Sequence, residues 1–178
     1  MSVMHDEKLL EIDNLRTYFN TPEGVVKAVD GVSFDIAKGE TLALVGESGC
    51  GKTVTSLSLI RLLADSAEVD ADRIMIDGKE SLGFTPQQAR ELRGKTISMI
   101  FQEPMTSLNP VYKIERQLGE VFILHEPRLT KEEVRERSIA ILQKVGVPNP
   151  AERLRSYPHQ LSGGLRQWVM IAISLASN

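Results

Sequence analysis

Apolar and polar residues alternate loosely along the first third of the chain, as they do in β-strands with one buried face. This alternation predicts a strand over residues 8–19 and one or two further strands over residues 25–36, with the turn-forming residues 20–24 between them. A short, mostly apolar run over residues 41–45 predicts a buried central strand. The sequence therefore predicts an antiparallel β layer that leads into a central strand.

The pattern alternates between helical and strand spacing in the middle of the chain. Apolar residues recur at helical intervals over residues 54–63, whereas residues 70–77 and 95–101 have the composition of strands. Between these strands, residues 85–93 are predicted to form a short helix with Thr85 as its N-cap and a proline in its first turn. A mixed α/β region is expected here.

The last third of the chain is predicted to be helical. Residues 117–125 and 130–145 each carry apolar residues on one face, and the second helix begins with a capping box formed by Thr130 and Glu133. A final apolar helix begins near Ser162. Because these helices follow a β-rich region, they indicate a helical insert or subdomain.

The composition is that of an ordinary globular protein. The 178 residues are 42% hydrophobic and 25% charged, which is enough for one domain with a core and a subdomain. The net charge of −3 gives no indication of a nucleic-acid-binding surface. The single cysteine, Cys50, excludes an internal disulfide. With no signal-peptide pattern and no membrane-length apolar run, we expect a cytosolic chain that could dock onto a membrane partner.

A glycine-rich motif lies between the predicted central strand and the helix after it. Its glycines let the backbone bend tightly, and the helix start adds unpaired N–H groups that favour anions. The lysine can reach β- and γ-phosphates, and the threonine hydroxyl can ligate Mg²⁺. The motif predicts nucleoside triphosphate binding by Gly46, Glu47, Ser48, Gly49, Cys50, Gly51, Lys52 and Thr53.

A second glycine motif, LSGGLRQ, occupies residues 161–167 at the start of the final helix. By the same physical argument, its serine and two glycines would form an anion-binding helix terminus. Taken alone, the motif is equally consistent with an N-cap serine followed by two glycines that ease a sharp entry into the helix. The motif by itself leaves both interpretations open.

The segments GESGCGKT, IFQEPMTSLNP and YPHQLSGGLRQ, in this order and at these spacings, resemble the ATP-binding subunits of ATP-binding cassette (ABC) transporters. More narrowly, they resemble the oligopeptide, dipeptide and nickel importers. The resemblance implies an α/β fold: a P-loop NTPase core with an N-terminal antiparallel β layer and an α-helical insert. It divides the chain into an ATPase core over residues 1–101, a helical subdomain with the Q-loop over residues 102–161, and the signature region over residues 162–178.

The resemblance also assigns roles to single residues. The glycine motif would be Walker A, and Gln102 would be the Q-loop glutamine, which together with Thr53 contacts Mg²⁺ or the water near the γ-phosphate. Phe19 lies where the family places an aromatic side chain that stacks on adenine, and Tyr18 is the neighbouring candidate.

The second motif would be the ABC signature, which completes the ATP site of the opposite subunit in a head-to-tail dimer. Two residues depart from the common family pattern: Leu165 replaces a glutamine, as in peptide-importer relatives, and Trp168 stands where relatives usually have a basic residue. The resemblance assigns the contact with ATP in trans to Leu161, Ser162, Gly163, Gly164 and Gln167.

The function implied by this resemblance is coupling of ATP binding and hydrolysis to solute uptake, of peptides above all. The implied ligands are ATP and Mg²⁺. The implied partners are a second ATPase subunit, membrane permeases and, indirectly, a solute-binding protein, at the cytoplasmic face of the membrane; no nucleic acid partner is expected. Two alternatives are a soluble ABC ATPase of repair or translation and a non-hydrolysing nucleotide-binding module. The tract EPMTSLNP favours the importer, and LSGG disfavours a P-loop kinase or GTPase.

The catalytic glutamate of Walker B and the switch histidine of the family have no match in these 178 residues. The family places both shortly after the signature helix. We therefore expect an N-terminal fragment of a longer ATPase that binds nucleotide, has negligible hydrolytic activity on its own and is poorly stable.

Overall fold

The computed structural model describes residues 7–101 and 107–176, and the chain divides into two compact units. Unit 1 comprises residues 1–93 and unit 2 comprises residues 94–178. The three-part division expected from the motifs stays a prediction, because its boundaries follow function rather than compactness.

Unit 1 contains a five-stranded antiparallel sheet that begins with a long hairpin. Strand β1 lies at its centre and pairs with β2 along one edge, while β3 and β4 share the other edge and β5 pairs with β4. The strands are β1 (Lys8–Thr21), β2 (Gly24–Ala37), β3 (Ala67–Asp70), β4 (Arg73–Ile76) and β5 (Lys79–Glu80).

The strand predicted over residues 70–77 is shorter in the structure, where β4 begins at Arg73 and a separate strand, β3, ends at Asp70. Residue Asn14 interrupts β1 with a positive φ of 54°, and its side-chain amide donates a hydrogen bond to Asp72 Oδ2 at 2.9 Å. Strand β3 pairs with β1 beyond this interruption and β4 pairs with β1 before it. The break in β1 therefore requires a matching break in the segment that pairs with it.

Two helices belong to the first part of the chain. Helix α1 (Lys52–Leu59) follows the glycine motif and ends earlier than predicted, since the left-handed backbone of Arg61 (φ 51°) cannot continue a helix. Helix α2 (Pro86–Lys95) begins after Thr85, whose hydroxyl accepts a hydrogen bond from the Gln88 N–H at 3.3 Å. The prediction of Thr85 as the N-cap is confirmed.

Two predicted strands are absent from the structure. Residues 41–45 have no regular secondary structure, and the side chains of Leu42, Leu44 and Val45 are 42%, 46% and 88% exposed. Residues 95–101 contain the end of α2 and a single bridge residue, Ile97. Within the described ranges no strand forms a ladder with either segment, and a strand without a ladder has no partner for its backbone N–H and C=O groups.

Unit 2 is helical and is built around a core of its own. It contains helices α3 (Ile114–His125), α4 (Lys131–Lys144), α5 (Pro150–Arg153) and α6 (Gly163–Leu175), with a 3₁₀ turn at Pro158–Gln160. The buried residues of this core are Leu108, Ile114, Leu118, Phe122, Val134, Leu142, Val147, Leu154, Leu161, Val169, Met170 and Ala172.

The capping box predicted for helix α4 is present. The Thr130 N–H donates to Glu133 Oε2 at 2.7 Å, and Thr130 Oγ1 accepts from the Glu133 N–H at 3.3 Å. The hydrogen bonds from Thr130 hold the pKa of the Glu133 carboxyl below its ordinary value. Gly146, with φ 86°, follows the end of the helix.

Within residues 7–101 and 107–176, none of the helices combines the length and the apolar composition needed to cross a bilayer.

Candidate functional site

The glycine motif forms an exposed turn that ends at the first residue of helix α1. Gly49 and Gly51 both have left-handed backbone conformations, with φ of 84° and 93°. Gly51 is the N-cap of α1, and no side chain caps the helix. The first N–H groups of α1 are therefore free to bind an anion, and the helix dipole adds to the attraction.

The position of Gly51 also excludes any larger residue. A Cβ atom there would lie 2.4 Å from the Ala28 carbonyl oxygen of strand β2. Ala28 is the extra residue of a β-bulge, since Val29 pairs with Thr17 while Lys27 pairs with the next residue of β1. The bulge thus places a backbone carbonyl directly against the end of the loop.

The side chain of Lys52 folds back over the loop that precedes it. Its Nζ atom donates hydrogen bonds to the carbonyl oxygens of Gly46 and Glu47, both at 2.7 Å, and lies 3.4 Å from Cys50 Sγ. The ammonium group is therefore held against the backbone of the loop. Phosphate oxygens would accept the same protons in stronger, charge-assisted bonds.

Thr53 is exposed in the first turn of α1, beside the loop. A hydroxyl oxygen is a hard ligand of the kind that Mg²⁺ prefers, so the position fits a role in holding a phosphate-bound metal. Its expected companion, Gln102, lies outside the described residues. Glu47, Ser48 and Cys50 are exposed in the turn itself.

Of the two aromatic candidates on β1, Tyr18 has side-chain partners of its own, and the stacking of Phe19 on adenine stays a prediction. Tyr18 donates a 2.5 Å hydrogen bond to Asp30 Oδ1, and Lys27 Nζ lies 5.0 Å from the centre of the Tyr18 ring. The hydrogen bond from Tyr18 lowers the pKa of Asp30, and the contact with Asp30 raises the pKa of Lys27. Tyr18 is thus engaged on its own face, whereas Phe19 is half-buried and points to the other face.

The second glycine motif forms the start of helix α6 in unit 2. Leu161 is buried in the core of that unit, and Ser162 Oγ accepts a hydrogen bond from the Leu165 N–H at 3.3 Å. Gly163 and Gly164 are exposed, with nothing within 4 Å of where a Cβ would lie. Gln167 is also exposed. The serine is an N-cap, and the glycines leave the helix end open to a large ligand.

The candidate residues thus fall into two groups. The Walker A residues and Phe19 lie in unit 1, whereas the five residues of the LSGGLRQ motif lie in unit 2. Sequence reasoning missed Thr17 and Ser58, which form a buried hydrogen bond between β1 and α1. The available signal was a polar residue at an inward position of β1, between Leu15 and Phe19.

Comparison with known proteins assigns the family. The sequence profile described as ABC transporter matches residues 29–178, which is most of the chain. The chain belongs to the ABC transporter family. Within this family, the chain is similar to the ATP-binding proteins of dipeptide and oligopeptide transporters, as the order of its motifs indicated.

Three curated relatives illustrate the similarity. The chain is 49% identical over 170 residues to the dipeptide transport ATP-binding protein DppD of Bacillus subtilis. It is 50% identical over 171 residues to the oligopeptide transport ATP-binding protein AppD of the same organism, and 43% identical over 169 residues to OppD of Escherichia coli. These alignments cover 95%, 96% and 95% of this chain but 50%, 52% and 50% of the relatives. The chain therefore spans about half the length of these proteins.

Solved structures confirm the fold class. The chain matches the structure of the ATP-binding cassette MJ0796, solved as a dimer bound to ADP and Pi, with a TM-score of 0.81 at 23% identity. This match covers 95% of this chain and 70% of MJ0796. It also matches CbiO1 of Clostridium perfringens with a TM-score of 0.76, covering 96% of this chain and 62% of that one. The predicted α/β ABC ATPase fold is confirmed.

Proposed function

We propose that the chain is the ATP-binding part of an ABC importer subunit, which couples ATP binding and hydrolysis to the uptake of peptides, or of nickel and related solutes. The observation that carries this proposal is the geometry of Lys52, whose ammonium lies in the bend of a glycine loop at an uncapped helix terminus. The similarity to ATP-binding proteins of dipeptide and oligopeptide transport supports peptides as the solute class.

The phosphate groups of ATP would bind to the loop through backbone N–H groups at the start of α1 and through Lys52. Thr53 and Gln102 would hold Mg²⁺, which supplies positive charge next to the β- and γ-phosphates. The exposure of Thr53 and the close approach of Gly51 to the Ala28 carbonyl, which leaves no room for a side chain in the loop, fit this arrangement. Phe19 would stack on the adenine ring.

The signature residues would act on ATP bound by a second ATPase subunit. The open start of α6, where Ser162 caps the helix and Gly163 and Gly164 lie exposed, is suited to approach a γ-phosphate from outside. Leu161 anchors the motif in unit 2, and Gln167 extends from the next turn. The second subunit could be identical to this one or different.

The proposal also includes partners and a location. The subunit would lie at the cytoplasmic face of the membrane and bind to integral permease subunits. These permeases would receive the solute from a solute-binding protein. A pull-down of this chain with membranes that contain the permeases would separate this role from that of a soluble ABC ATPase of repair or translation.

The binding part of the proposal is tested by titrating the chain with ATP in excess Mg²⁺ by calorimetry. Lys52→Ala removes an ammonium that makes charge-assisted bonds, so we expect affinity to fall roughly 10- to 150-fold. Lys38→Ala is the matched control, because Lys38 forms only an exposed ion pair with Glu7 at 3.3 Å. Equal affinities of the two variants would refute the assignment of the phosphate site.

A further inference from the structure

Two hydroxyl side chains lie buried between strand β1 and helix α1. Thr17 is 0% exposed and Ser58 is 2% exposed, and their side-chain oxygens are 2.8 Å apart. Ser58 Oγ also lies 2.7 Å from the Val54 carbonyl oxygen, to which it donates its single hydroxyl proton. Thr17 is therefore the donor in the bond between the two side chains, and Ser58 is the acceptor.

A buried hydroxyl pair fixes geometry more than it adds stability. An apolar pair of the same shape would be about as stable, whereas either hydroxyl left without its partner would be costly. Sliding of α1 along β1 would separate the two oxygens, so the bond holds the helix at one position on the strand.

The two elements that this bond joins carry the two ends of the nucleotide site. Helix α1 begins at Lys52 in the phosphate loop, and Phe19 lies two residues beyond Thr17 on β1. The pairing of β1 with β3 is regular from Arg16 to Phe19, because the bulge falls on β2. Alternate residues of β1 therefore keep to one face here, and Phe19 shares the face of Thr17, against which α1 packs.

We propose that Thr17 and Ser58 are positioning residues that hold the ring of Phe19 at a set distance from the phosphate loop, so that base and triphosphate bind together. This inference rests on the proposed nucleotide site. It distinguishes two ligands: ATP spans both ends of the site, whereas inorganic tripolyphosphate occupies only the loop. The Thr17–Ser58 bond matters for ATP and not for tripolyphosphate.

The test uses the whole 178-residue chain and calorimetric titration with each ligand in excess Mg²⁺. Thr17→Val keeps the shape of the side chain and removes the donor. ATP affinity falls roughly 2- to 10-fold, the worth of one hydrogen bond, while tripolyphosphate affinity stays unchanged. Ser58→Ala removes the acceptor and gives the same selective loss, and the double variant loses no more than either single one.

Three further variants serve as controls. Thr21→Val removes a hydroxyl of the same strand that bonds the Gly24 carbonyl at the hairpin end, and it leaves both affinities unchanged. Thr17→Ser restores the donor and with it the affinity for ATP. Phe19→Ala removes the stacking ring and lowers ATP affinity roughly 5- to 150-fold with no change for tripolyphosphate.

Each contrary outcome has a distinct meaning. If Thr17→Val lowered the affinity for ATP and for tripolyphosphate equally, the Thr17–Ser58 bond would have a merely structural role. If it lowered neither affinity, the bond would have no role in binding. Either result overturns the inference while the phosphate site stands. Failure of the unmutated chain to bind either ligand would overturn the proposed function and this inference together. Circular dichroism of each variant establishes whether it is folded. If Thr17→Val does not fold, the affinities of Ser58→Ala and Thr17→Ser for the two ligands are compared instead.

Discussion

Replacement of Gly51 by alanine tests whether the bulge on β2 shapes the phosphate loop. The new methyl group would lie 2.4 Å from the Ala28 carbonyl oxygen, about 1 Å closer than an ordinary contact. The left-handed backbone of Gly51 adds a cost of roughly 1–2 kcal/mol for a residue with a Cβ. Displacing the loop or the strand costs roughly a further 1–3 kcal/mol, as in other overpacked sites. We expect Gly51→Ala to lower the free energy of unfolding by about 2–5 kcal/mol.

Two other glycines separate these contributions. Gly49 in the same loop and Gly39 outside it have φ of 84° and 79°, and neither has any atom within 4 Å of a new Cβ. Alanine at either position carries only the backbone strain of roughly 1–2 kcal/mol, partly offset by the lower entropy of the unfolded chain.

Urea unfolding of the three variants, followed by circular dichroism, gives the comparison, and titration with ATP gives the effect on the loop. Gly51→Ala should be the least stable of the three and should bind ATP most weakly. If Gly51→Ala and Gly49→Ala were equally stable, close packing against Ala28 would have no energetic role, and the explanation given for the glycine would be wrong.

Two further predictions concern the pH dependence of helix α4 and hydrolysis. Because the pKa of Glu133 is lowered below its ordinary value of 4.5 on folding, its contribution to stability is complete above that value and is lost as the pH falls through the depressed one. Unfolding midpoints measured from neutral pH downward should fall less steeply for Glu133→Gln than for the unmutated chain, and parallel curves would contradict the role of the capping box. We also expect the 178-residue chain to release phosphate from Mg-ATP at background rates, because no residue in it matches the Walker B glutamate; turnover that Lys52→Ala abolishes would disprove this.

Features set by neighbouring residues were predictable from the sequence. The N-cap at Thr85 and the capping box at Thr130 depend on residues three positions apart, and both are present. The residue pair Asp77 and Gly78 is itself typical of a tight hairpin turn, and both residues have positive φ in a two-residue loop between β4 and β5. In each case the cause and the effect lie within one turn of chain.

Features set by distant partners were not predictable. The apolar run over residues 41–45 indicates burial, but a strand also needs a neighbour for its backbone, which the run cannot reveal. The break between β3 and β4 follows from the left-handed Asn14, more than fifty residues earlier in the sequence. The bulge at Ala28 likewise depends on the pairing of two whole strands.

The candidate site shows the same division. The Walker A motif was found from spacing alone, because its chemistry lies in consecutive residues, whereas the LSGGLRQ motif alone left two interpretations open. The difference between the surroundings of Tyr18 and Phe19 appeared only in the contacts of Tyr18 with Asp30 and Lys27 on the sheet. The carbonyl partners of Lys52 and the bond between Thr17 and Ser58 appeared only in three dimensions.

The two hydrogen bonds from Lys52 to the loop carbonyls have a consequence for the energetics of ligand capture. They brace the loop in its curved form, so a ligand meets a preorganised cavity rather than a disordered turn. Little chain entropy is then lost on association, and more of the attraction between ammonium and phosphate remains as affinity. The same bonds must open as phosphate enters, which makes weakly charged anions poor competitors.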